Sequence, residues 1–147
     1  MFGPMIKERE KREKVDAALI SYTKLSTIFD EFWRRCCSVF TEKYFDGAIK
    51  CIDKKARVFS IMGFLITSWF IPVADDSGKI FGKIIFKHES TELCRILFDA
   101  SGRVLSQTCS SLSFCNMLDS SGFESLIYDF IEKFIYSDVM KEKDDGN

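Results

Sequence analysis

The run FWRRCCSVF, Phe32 to Phe40, sets two adjacent thiols beside two guanidinium groups and an indole. Two chemistries suit that set. Neighbouring cations favour a thiolate, which makes Cys37 a candidate reactive thiol, and grouped thiols are ligands for zinc. Zinc, however, needs four Cys or His ligands in short paired spacings. The chain has six cysteines, no CxxC and one histidine, with Cys109 and Cys115 standing apart, so no metal site is expected.

His88 is that single histidine, in the turn-like KHESTE beside Glu89, Ser90 and Glu92. A small cysteine- or serine-nucleophile enzyme would use His88 as base with Cys37 or Ser90 as nucleophile. Nothing in the spacing joins these groups, so no catalytic residue is assigned and the enzyme stands as an alternative. Asp75 and Asp76 fall where a turn wants carboxylates for its own backbone. Neither GxxxxGK[ST] nor GxGxxG occurs, so a nucleotide fold is disfavoured and no cofactor is expected.

Anion binding has two candidate surfaces. Between Arg34 and Arg57 seven basic residues stand against three acidic ones, leaving a local surplus of four, and Arg34, Arg35, Lys50, Lys54 and Lys55 would form an anion or nucleic-acid site. From Asp119 onward the balance is −5, so the two regions can also answer each other, within one chain or across a dimer. The stretch KIFGKIIF, Lys79 to Phe86, matches an RNA-recognition strand at Lys79, Phe81, Gly82 and Phe86 but has Lys83 where a second stacking ring belongs. With a net charge of −1 and no helices interleaved among the strands, nucleic acid is disfavoured as a partner.

The elements that must position these residues follow from periodicity. Val15, Leu19, Tyr22, Leu25, Phe29, Phe32 and Cys36 recur every three or four residues, predicting an amphipathic helix from about residue 7 to about residue 40. The capping-box pattern at Thr27 to Asp30 leaves open a division into two helices. On that helix Cys36 lies on the buried stripe and Cys37 about 100° round from it. Asp46, Ile49, Ile52, Ala56 and Phe59 suggest a second helix.

Val58 to Ala74 is a run of 17 uncharged residues, at the lower edge of what spans a bilayer. Its serines, glycine and proline instead suggest a break at Gly63 into a helix end and a strand, so a membrane span is disfavoured. From Phe64 the period falls to two, with strands expected over Phe64 to Val73, Lys79 to Lys87, Glu92 to Asp99 and Arg103 to Cys109. Short turns ending in Gly78 and Gly102 make them antiparallel neighbours. Ile84, Phe86, Cys94, Ile96 and Phe98 share one face, while the opposite face mixes aliphatic residues with Lys83, Lys87 and Arg95. A last helix opens at Ser121 and carries Leu126, Ile127, Phe130, Ile131, Phe134 and Ile135.

The expected fold is therefore α+β: one or two N-terminal helices, a four-stranded antiparallel β-meander, and a C-terminal helix packed on the sheet. A single domain is expected over residues 1–147, frayed over 1–6 and 141–147. No secretory signal opens the chain, so a cytoplasmic setting is expected, with the thiols acting as small hydrophobic side chains.

The chain holds 15 phenylalanines. Rings without a polar handle belong in a core, a pocket or an interface, and the expected function is non-catalytic binding of a protein partner or of an apolar small molecule held between sheet and helices. Its candidate walls are Phe29, Phe32, Trp33, Phe64, Phe81, Phe86, Phe98, Phe130 and Phe134. The long helical stripe and the mixed sheet face point to a homodimer.

Overall fold

The computed structural model describes residues 3–40, 47–53, 55–109 and 116–141. It contains helix α1 (Gly3–Phe40), strands β1 (Ile49–Asp53), β2 (Val58–Ile61), β3 (Phe64–Ala74), β4 (Ile80–His88), β5 (Thr91–Phe98) and β6 (Val104–Gln107), and helix α2 (Ser120–Ile135). The fold is α+β, with an antiparallel sheet between the two helices in the sequence. That sheet has six strands rather than four, in the order β1-β2-β3-β4-β5-β6.

The two added strands replace the expected second helix. Ile49, Ile52, Ala56 and Phe59 fit a helical period, but Ile49, Cys51, Phe59 and Ile61 fit a period of two equally well, and short apolar runs do not decide between them. Asp53 decides locally: its Oδ1 accepts the backbone N–H groups of Lys55 and Ala56, which turns the chain. Arg57 then takes a left-handed φ of 56°. Asp46 and Lys54, parts of that expected helix, lie outside the described residues. The uncharged run breaks at Gly63 as expected, but into two strands. Met62 and Gly63 both have positive φ, the requirement of a two-residue hairpin turn whose twist matches its strands. Among the described residues no helix is long and apolar enough to cross a membrane.

The turns after β3 and β5 are copies of one another. Asp75 Oδ1 accepts from Ser77 N, Ser77 Oγ and Lys79 N, and Asp99 Oδ1 accepts from Ser101 N, Ser101 Oγ and Arg103 N. The Ser77 hydroxyl, with the Lys79 amide, holds the Asp75 carboxyl below the usual carboxylate range. At Asp99, burial pushes the carboxyl up, and the Ser101 and Arg103 donors outweigh it to leave a net lowering. Arg34 and Arg95 lower Glu31 and Glu92 in the same way. These depressed values place the stabilisation above the unfolded carboxylate pKa of about 4, to be lost as pH falls through the folded values. The thermal midpoint is therefore expected to be flat near neutrality and to fall from about pH 4 downward, with a shallower fall in Asp75→Ala/Asp99→Ala. A wild-type midpoint unchanged to about pH 2 would contradict this.

Both helices cover one face of the sheet. Leu25, Ile28, Phe29, Phe32, Trp33 and Cys36 of α1 meet Phe59, Ile61, Ile66, Ile84, Phe86, Ile96 and Phe98, and α2 adds Leu126, Ile127, Phe130 and Phe134. Close approach is enforced at Gly82, where an added Cβ would lie 2.5 Å from the Phe98 ring and 3.0 Å from that of Phe70. No residue with a side chain fits there without moving a buried ring.

The helical stripe of α1 is only half used. The helix is continuous: Thr23 and Thr27 donate their hydroxyls to the carbonyls of Leu19 and Thr23, so the polar run is absorbed without a break. Burial begins at Leu25, whereas Val15 and Leu19 are exposed and Tyr22, also exposed, touches the ring of Phe70. A helix of 38 residues is roughly 57 Å long, and its first half overhangs the sheet.

The expectation that the thiols serve only as packing also changes. Cys94 and Cys109 are buried as expected but joined in a disulfide. The pairing of Ile96 with Gln107, continued two residues outward, sets Cys94 opposite Cys109, so the sheet register itself brings the sulfurs together.

Candidate functional site

Most of the nine aromatic residues singled out as ligand walls pack into the core. Phe29, Phe32, Trp33, Phe86, Phe98, Phe130 and Phe134 are buried in the core, with Phe64 half-buried against it. Phe29 stacks on Phe70 at 5.3 Å, Phe86 meets Phe130 at 5.1 Å, and Phe64 meets Phe134 edge-on at 5.6 Å. The space left among Phe32, Cys36, Phe59, Phe86 and Phe130 is about 10 Å³, no more than one water molecule needs. Phe81 stands on the opposite face of the sheet, with the Lys79 ammonium 5.4 Å from its ring centre.

The thiols of FWRRCCSVF divide as helix geometry requires. Cys36 is 2% exposed, and burial followed by the neighbouring Cys37 and Cys51 pushes its thiol well up, which keeps it protonated and inert. Cys37, one residue on, is 7% exposed and lies with its Sγ 2.7 Å from Cys51 Sγ on β1. This pair borders an open cleft of about 460 Å³ lined also by Asp30, Trp33, Arg34, Ser38 and Arg57. The Arg57 guanidinium pairs with Asp30 and lies 4.6 Å over the Phe29 ring, tying the turn after β1 to α1. Trp33 Nε1 and Arg57 Nε are buried donors without a hydrogen-bond partner among the described residues. Sequence spacing gave no sign that Cys51 would join Cys37, because it depends on β1 being a strand.

The other candidates are dispersed. His88 Nδ1 donates to the Leu65 carbonyl at 3.0 Å, and its ring meets Phe64 edge-on. Cys51 pairs with Phe59, Phe59 with Ile66, and one step beyond the Thr67 and Lys87 pair sets Ile66 opposite His88. His88 is therefore three strands, roughly 14 Å, from the thiols. Ser90 is in the exposed turn beside His88. Of the anion-site residues, Arg34 and Arg35 are bonded to Glu31, and Arg35 Nη1 also donates to the Leu118 carbonyl. Lys50 is on β1 and Lys55 in the following turn, so no single helical face collects them.

The outer face of the sheet is the second candidate. Leu65 and Trp69 are each 53% exposed, Ile71 is exposed beside them, and the ladder Trp69, Ile85, Arg95 crosses three strands. Trp69 Nε1 donates to Thr67 Oγ1, which lays the indole along its own strand. Lys83, Lys87 and Arg95 interrupt the apolar surface, and among these cations Arg95 is paired with Glu92. Comparison with protein-family models, with curated proteins and with solved structures finds no match for this chain.

Proposed function

We propose that this chain is a non-catalytic interaction domain that binds a protein partner through the outer face of its sheet. The carrying observation is the contrast between the two faces. On the inner face the gap among Phe32, Cys36, Phe59, Phe86 and Phe130 is only about 10 Å³, which favours a protein partner over an apolar small molecule held there between sheet and helices. The outer face leaves Leu65, Trp69 and Ile71 in water.

Charge selects the occupant. Lys83, Lys87 and Arg95 stand among the apolar residues with Glu92 as their nearby carboxylate, so an amphipathic segment bearing acidic residues beside an apolar stripe complements the face. Two copies meeting by their outer faces would oppose like charges. The exposed side of α2 carries Tyr128, with Glu132 and Lys133 of opposite charge beside it. It belongs to the helix covering the inner face, so its docking on a neighbour's outer face would repeat without closing.

The test uses two synthetic amphipathic helical peptides, one with glutamate and one with lysine on the polar side, titrated by calorimetry. The glutamate peptide is expected to bind, the lysine peptide not, and Ile71→Ser or Lys83→Glu to weaken binding by about tenfold. Equal binding of both peptides, binding of neither, or a sedimenting dimer that Ile71→Ser dissolves would each refute the reading.

A further inference from the structure

We propose that the cleft between α1 and the turn after β1 is a redox site, in which Cys37 and Cys51 are oxidised to a disulfide by a small disulfide that carries carboxylates, such as glutathione disulfide. The geometry carries the pairing. The two sulfurs lie 2.7 Å apart although their residues are 14 apart in sequence and come from a helix and a strand. Closing the bond therefore asks for little movement of either element.

The cleft supplies the rest. Cys51 is half-buried at its border and is the sulfur that an entering reagent reaches, while Cys37 lies deeper. Trp33 Nε1 and Arg57 Nε are buried donors left without partners among the described residues, and Trp33 is 5% exposed. Donors of that kind are costly to leave unmade, and a slight opening of the cleft that lets a carboxylate accept from them removes the cost. Arg34 and Arg57 stand at the same cleft, paired with Glu31 and Asp30, so its wall sets no unbalanced negative charge against an anion. Cys36 is the internal control: it adjoins Cys37 in sequence but faces the core with a thiol pushed well up.

The chemistry balances with that oxidant alone. Cys51 gives up its proton and its sulfur attacks one sulfur of glutathione disulfide; the S–S bond breaks and the first glutathione leaves with the proton as a thiol. Cys37 then attacks the Cys51 sulfur of the mixed disulfide. The Cys37–Cys51 bond forms, the second glutathione leaves with the Cys37 proton, and two electrons have passed from protein to glutathione. Excess reduced glutathione runs the sequence backward.

The test is differential alkylation and peptide mapping of the full chain after exposure to glutathione disulfide or to cystamine, a disulfide that carries amines. Glutathione disulfide is expected to yield a Cys37–Cys51 linked peptide lighter by two hydrogen atoms, faster than cystamine does, with Cys36 alkylated only after unfolding. Arg57→Gln should narrow the difference between the two reagents, and Cys51→Ser should abolish the linkage. Linkage through Cys36, glutathione retained on Cys51 without closure, continued alkylation of both thiols, or equal rates with the two reagents would overturn the proposal. The rate comparison is made on the wild-type chain and stands even where a variant fails to fold.

Discussion

Replacing Phe59 with alanine is expected to lower the unfolding free energy by about 3–5 kcal/mol. Phe59 is 1% exposed at the centre of an aromatic cluster, with ring centres of Trp33, Phe86 and Phe130 at 5.8, 6.3 and 6.1 Å. Its neighbours come from α1, β4 and α2, so all three elements lose contacts at once. The residue sits mid-strand, flanked by Val58 and Ser60, and the surrounding rings cannot collapse into the vacated volume without leaving their own contacts. Urea unfolding of the two proteins measures the loss. The cavity would be dry and apolar, so toluene should raise the thermal midpoint of the variant and leave that of the wild type unchanged. A cost below about 1 kcal/mol would show that the rings are not close-packed.

Removing the Cys94–Cys109 bridge is expected to cost about 3 kcal/mol, the value for a closed loop of about 15 residues. The bridge spans β5 and the residue two beyond β6, and β6, four residues long, is the last strand in the order of the sheet. Its loss frees that edge in the unfolded chain and leaves it lightly held in the folded one. Dithiothreitol should lower the wild-type midpoint as far as Cys94→Ala/Cys109→Ala does, and should not lower the double variant further. A midpoint indifferent to reductant would contradict the expectation.

Legibility in the sequence followed the length and regularity of each pattern. α1 and α2 were readable because several turns of apolar spacing leave few alternatives, and β3 to β5 because eight or more residues alternate between marked turns. The face assignment of Ile84, Phe86, Cys94, Ile96 and Phe98 follows from period two alone, and all five are buried. β1 and β2 were misread because four or five residues hold too few repeats to separate a period of two from 3.6.

The candidate site shared that fate. The buried position of Cys36 follows from the heptad spacing of Val15, Tyr22, Phe29 and Cys36, but Cys37 meeting Cys51 depended on the misread strand. Nor does a hydrophobic period say how far cover extends. Val15 and Leu19 continue the stripe of Phe29 and Phe32, yet only the second half of α1 meets the sheet.

The uninterrupted strand order has a consequence for how the chain comes into being. Each strand pairs with the one made just before it, so the sheet can zip hairpin by hairpin during synthesis, with short loops to close at every step. α1 is made first, but the strands it rests on are completed only when Phe98 has emerged. Until then Phe29, Phe32 and Trp33 wait in water on a nascent helix, and that interval is when the newborn polypeptide is most exposed to chaperones and to aggregation.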